Sequence, residues 1–104
     1  MAVEVTDNRA RLRYEITEDG ELVGFATYKL VSDGVDILHA EVDPDFGGRG
    51  LAGVLVRAAL DDVRSRGLHV IPHCPYVTKF IDGHRDEYLD LVPEARRAQF
   101  GLTA

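Results

Sequence analysis

The chain has 104 residues, 45% of them hydrophobic and 29% charged, which suits one soluble domain with a single core. A formal charge of -6 argues against a general nucleic-acid binder, which needs a basic face, and favours a cationic partner or simple solubility. The one cysteine excludes an internal disulfide, no apolar run approaches the roughly 18 residues a membrane span requires, and Met1–Glu4 opens no signal peptide. A cytoplasmic protein without membrane attachment is the expectation.

After a lead-in over residues 1–9, residues 10–16 alternate, with Leu12, Tyr14 and Ile16 on one face and Arg11, Arg13 and Glu15 on the other. That pattern predicts a half-buried strand. Glu18–Glu21 turns the chain, and Leu22–Leu30 returns as a second strand, in which Gly24 marks a bulge or a close backbone approach. Ser32–Gly34 turns again and Val35–Val42 is a third strand, giving an antiparallel meander. Side-chain alternation places Ile37, His39, Glu41 and Asp43 on one face of that strand.

Beyond Gly50 the period changes. Leu51, Val54, Leu55, Ala58, Ala59 and Val63 recur at helical spacing, and Gly67 is a stop signal. Leu68–Ile71 follows as a short strand, parallel to the third because a helix joins them. Pro75 opens a second helix over Tyr76–Asp82, Tyr88–Val92 is a last short strand, and residues 93–104 are an Arg-rich tail, either a weak helix or disordered. His69 and His73 have i,i+4 spacing, but on a strand and a proline turn they do not converge, so no metal site is expected.

Between the third strand and the first helix lies Gly47-Gly48-Arg49-Gly50-Leu51-Ala52-Gly53. Backbone N–H groups at a strand-to-helix loop, reinforced by the helix dipole, form a phosphate cradle. The literal G-x-G-x-x-G is not a dinucleotide fingerprint, because Asp43–Gly47 intervene and the next strand ends in Ile71-Pro72-His73 rather than an acid. No Lys-Ser/Thr follows, which excludes a P-loop.

Meander, loop, helix, parallel strand and helix in that order resemble the GNAT acetyltransferases, whose motif A reads Gln/Arg-Gly-x-Gly-x-Gly/Ala. Gly48, Arg49, Gly50, Leu51 and Ala52 fit it, and Gly47 replaces the Gln/Arg. Together with His39-Ala40-Glu41-Val42, Arg66-Gly67-Leu68 and Pro72–Val77, the chain looks like a compact, single-domain GNAT-like N-acetyltransferase subfamily, over about residues 10–92. The resemblance implies an α+β GNAT-like (acyl-CoA N-acyltransferase) fold with a splayed parallel strand pair and two main helices. It also implies acetyl-CoA as cosubstrate, its coenzyme A lined by Val42, Gly47, Gly48, Arg49, Gly50, Leu51, Ala52, Cys74 and Tyr76.

Acetyl transfer to an amine needs a base for the amine proton. His39 or Glu41 are candidates, Glu41 lying nearer the expected thioester. Cys74 precedes the second helix, where the helix dipole and His73 would lower its pKa, so it is a candidate nucleophile or acetyl carrier; a small buried thiol is the alternative. It replaces the family's Asn, and Ile81 replaces its acidic Tyr. Tyr76 either meets the leaving thiolate or packs in the core. The expected activity is acetyl-CoA-dependent N-acetyl transfer to an amine, the acceptor being a small molecule or a protein, with a cationic one favoured. The alternative is a coenzyme A/acyl-CoA-binding module without turnover. The chain would act as a monomer or homodimer, a dimer interface or partner protein completing so small an acceptor pocket.

Overall fold

The computed structural model describes residues 2–32, 34–47 and 50–103. Five strands form one sheet in the order β1-β2-β3-β4-β5: β1 Val3–Asn8, β2 Arg13–Glu18, β3 Glu21–Val31, β4 Gly34–Val42 and β5 His69–Pro72. The first four are antiparallel neighbours, and β5 lies parallel to β4 after the crossover through α1 (Leu51–Ser65). Helices α2 (Pro75–Gly83) and α3 (Arg85–Tyr88) follow, and then short 3-10 turns. This is the α+β fold expected from the sequence, with additions. The lead-in carries β1, and Tyr88–Val92, expected as a strand, is instead the end of α3 and a 3-10 turn. Among the described residues no helix is long and apolar enough to cross a membrane.

One face of the sheet is buried and the other is open. Tyr14, Ile16, Ala26, Tyr28, Val35, Ile37 and Val70 pack under α1, which contributes Leu55, Val56, Ala59, Leu60 and Val63. Each such aliphatic side chain stabilises the fold by about 1.5–3 kcal/mol through removal from water. The helical stripe is rotated from the one read in sequence, because Val56 and Leu60 are buried while Val54 is exposed. Leu12 leaves its expected strand face: it sits in a turn at φ 52 and is exposed. Gly67 does close α1, at φ +70.

Gly34 opens β4 where no larger residue fits. A Cβ there would lie 2.2 Å from the carbonyl oxygen of His69 on β5. Gly24 meets both sequence expectations, with a register shift between Ile16 and Thr17 opposite it and Glu41 O 2.7 Å from a built Cβ.

A polar clamp ties the far end of α1 to the meander. Arg66 donates to Asp7 at 2.6 Å and pairs with Asp62 at 2.9 Å; Tyr28 donates to Asp7 at 2.5 Å and Tyr14 to Asp62 at 2.7 Å. Burial beside these carboxylates pushes the Tyr28 hydroxyl up to about 12 and raises Tyr14 further. Burial also works to raise the Asp7 carboxyl, but the hydrogen bonds from Tyr28, Arg66 and Arg9 outweigh it and hold the group below its usual value.

Two outcomes follow from this packing. A Gly34→Ala chain loses about 1–3 kcal/mol to the overlap with His69, measured as a fall in thermal midpoint. The Asp7 carboxylate stabilises the fold above its unfolded value near ~3.9, and that contribution is lost as pH falls through its lower folded value. Asp7→Asn therefore costs about 1–3 kcal/mol at neutral pH, and thermal melts show the gap from wild type narrowing below about pH 4.

Candidate functional site

The site is built where β4 and β5 part. Their pairing runs from Gly34–His69 to Ile37–Pro72 and stops there. His73 N–H turns back to Ile71, and Cys74 N–H makes the final bond to the Ile37 carbonyl at 2.8 Å. At the same level β4 takes in an extra residue: Thr27 faces His39 and Tyr28 faces Ile37, leaving Leu38 as a bulge. From Leu38 to Val42 the β4 edge away from β3 has no strand against it among the described residues. A slot opens there, toward the first turn of α2.

The bulge corrects the alternation read from sequence. Ile37 points into the core, whereas His39 and Glu41 lie on the open face with Phe25 and Thr27 beside them. The two do meet, His39 Nε2 lying 3.3 Å from Glu41 Oε2, and both side chains are more than half exposed. Glu41, Asp43 and Phe25 line a hollow of about 430 Å³ next to the slot. Its acids and aromatic ring suit a cation.

At the wide end of the slot α1 begins. Gly50 is its N-cap at φ +73, a left-handed conformation that glycine adopts without steric cost. No side chain caps this end and no acid stands in its first turn, so its first N–H groups and the dipole are left for an anion. Gly48 and Arg49, central to the sequence motif, lie outside the described residues. Gly47 is extended, and its N–H is used to close the Pro44–Phe46 turn on the Pro44 carbonyl, so it is not the free donor the motif suggested. Leu51 is buried and Ala52 half-buried, and Val42 packs against the core.

Cys74 takes the buried one of its two expected settings, and Tyr76 faces outward. Cys74 is only 3% exposed and belongs to the core, whereas Tyr76 is 42% exposed instead of packed in the core. A Cβ at Gly53 would lie 3.8 Å from the Tyr76 hydroxyl and 3.9 Å from the Phe80 ring, so α2 leans over the start of α1. Between them a second hollow of about 460 Å³ runs from Gly50 past Val54 to Arg57 and Phe80. Ile81 is fully buried. His73 does not serve Cys74: its Nδ1 is 2.7 Å from the buried Asp36. Sequence reading missed that pair, whose only signal is an acid inside the apolar run Val35-Asp36-Ile37-Leu38.

A sequence model of the GCN5-related N-acetyltransferases matches residues 13–91. The chain belongs to that family. It is 30% identical over 57 residues to the ribosomal protein bS18-alanine N-acetyltransferase of Escherichia coli, a match covering 55% of this chain and 38% of that protein. It is 43% identical over 47 residues to protein NATD1 of Bos taurus, covering 45% and 42% of the two. The chain thus spans less than half the length of these relatives. In fold it resembles a GCN5-like protein from Staphylococcus aureus solved in solution, with a TM-score of 0.62, 23% identity and coverage of 86% and 87%. The crystal structure of the Escherichia coli alanine N-acetyltransferase superposes over 62% of this chain and 43% of that one, with a TM-score of 0.54 and 27% identity.

The burial of Cys74 has a direct consequence. In the native protein its thiol reacts with a disulfide reagent at least about tenfold more slowly than in denaturant, since reaction awaits local opening. Stopped-flow absorbance in both states measures the ratio.

Proposed function

We propose that this chain is an acetyl-CoA-dependent N-acetyltransferase acting on an amine. The observation that carries the reading is the slot that opens where β4 and β5 part, beside an uncapped, acid-free α1 terminus. The residues fit a pyrophosphate followed by a thin apolar arm: backbone N–H groups at Gly50–Gly53 for the first, and the free β4 edge from Leu38 to Val42 for the second. Tyr76, beside the helix start, borders the coenzyme on its exposed side.

Glu41, partnered by His39, and Asp43 on the open face draw a cationic amine toward the protein. A net charge of -6 assists its approach. Transfer is direct, from coenzyme sulfur to amine nitrogen, because Cys74 is packed in the core rather than presented to the slot. The Escherichia coli relative, by its name, supports an alanine of a protein among the acceptors.

Calorimetry with coenzyme A is expected to give a dissociation constant of about 1–100 μM, in the range where binding costs are covered by a few well-placed contacts. No heat at millimolar ligand overturns the reading. Thiol release from acetyl-CoA is then followed with alaninamide, α-blocked lysine and spermidine. Release with none of them, despite binding, leaves the non-catalytic coenzyme-binding module in its place. Cys74→Ala keeps turnover within about threefold on the direct route, whereas a fall of about 10²-fold or more restores the cysteine as acetyl carrier.

A further inference from the structure

The open face carries a second histidine–carboxylate pair that is built very differently from His39–Glu41. Asp36 is 3% exposed, the one buried charged residue among those described. It stands on β4 opposite Lys29 of β3, whose Nζ is 4.0 Å away, and its Oδ1 meets His73 Nδ1 at 2.7 Å. His73 follows Pro72, so it occupies the level at which β4 and β5 part. Its ring is fixed edge-on against Phe100 at 5.0 Å.

The hydrogen bonds also settle the tautomer. Gln99 accepts from Arg96 through its Oε1 at 3.0 Å, which turns its amide NH2 toward His73 Nε2, 3.4 Å away. An NH2 can only donate, and a carboxylate can only accept. His73 is therefore protonated on Nδ1 toward Asp36 and offers its Nε2 lone pair outward, with the Gln99 nitrogen standing where another N–H would stand. The same ring borders a hollow of about 520 Å³ between α2 and the C-terminal segment, rimmed by Lys79, Asp82 and Phe100.

We propose that this hollow receives the acceptor amine and that His73, oriented by Asp36, is the base that takes its proton. The inference rests on the acetyl-transfer reading above and names its base. The amine nitrogen displaces the Gln99 amide and attacks the thioester carbonyl. The C–N bond forms, the C–S bond breaks with its electron pair leaving on the coenzyme sulfur, and the amine proton passes to His73 Nε2. Asp36 is a positioning residue: it holds the ring in the base-competent tautomer and stabilises the imidazolium that forms. Glu41 and His39, both more than half exposed, have no buried partner of this kind among the described residues.

His73→Gln lowers kcat by about 10²-fold or more with KM and coenzyme A affinity little changed, in the range a general base contributes. Asp36→Asn lowers kcat with KM little changed, because the ring loses the acceptor that holds its Nδ1–H, and Asp36→Glu recovers part of the loss. Unchanged kcat in His73→Gln, or in folded Asp36→Asn, overturns the proposal. Nitrogen NMR of the wild-type imidazoles decides where a variant does not fold or no amine turns over. Expected is the Nδ1-protonated tautomer of His73 at neutral pH, its Nε2 signal shifting as alaninamide is titrated into coenzyme A-saturated protein. An Nε2-protonated ring, a still His73 signal, or a shift confined to His39 refutes it. Absence of coenzyme A binding instead refutes the acetyl-transfer reading, so the two failures are distinguishable.

Discussion

One level of the sheet organises this molecule, the level at which β4 and β5 part. The His73 N–H turns back onto the Ile71 carbonyl instead of continuing the ladder, so the parallel pairing ends at Ile37–Pro72. Leu38 bulges from β4 at the same level, just as the partner strand ends. The slot, the burial of Cys74 on one side and the exposure of His39, Glu41 and His73 on the other all follow from that level. The last hydrogen bond, from Cys74 N–H to the Ile37 carbonyl, fixes where the opening begins.

The rest of the fold holds that opening still. The main core lies on one face under α1, and the clamp of Arg66, Asp7, Asp62, Tyr14 and Tyr28 pins the end of α1 remote from the slot. Partly buried and mutually satisfied, such a network gives direction rather than much net stability, since each charge offsets its own desolvation. On the other side of α1, Arg64 binds Asp90 and the Glu87 carbonyl, and Arg57 binds Glu87. Those bonds tie α3 back to α1. The first turn of α1, in contrast, is left without a cap.

The C-terminal segment is more than a tail. Leu102 is buried, Arg85 reaches the carbonyls of Leu102 and Thr103, and Arg97 reaches that of Val92, so the segment is held against α2. Its 3-10 turns bring Gln99 and Phe100 onto His73. In sequence this stretch shows only arginines and no period, because side chains anchoring a short turn leave no repeat to read.

Local signals were enough for β2–β5, α1 and α2, the parallel crossover, the stop at Gly67 and the tight approach at Gly24, because each depends on residues close in sequence; they did not give β1 or the helical turn at Tyr88–Leu91. The motif around Gly50 and the meander before it were likewise enough to point to the family. Strict alternation failed at Leu38, since a bulge is decided by the register with a neighbouring strand and leaves no mark of its own. The helix stripe shifted, and Tyr76 turned outward from the core expected of it, because rotation of a helix is set by what it packs on. The Asp36–His73 pair lies 37 residues apart in the chain and Arg66–Asp7 lies 59 apart. The sequence by itself determined most of the elements and the family; the tertiary structure alone decided which titratable groups meet, because contacts between residues distant along the chain exist only once the sheet has formed.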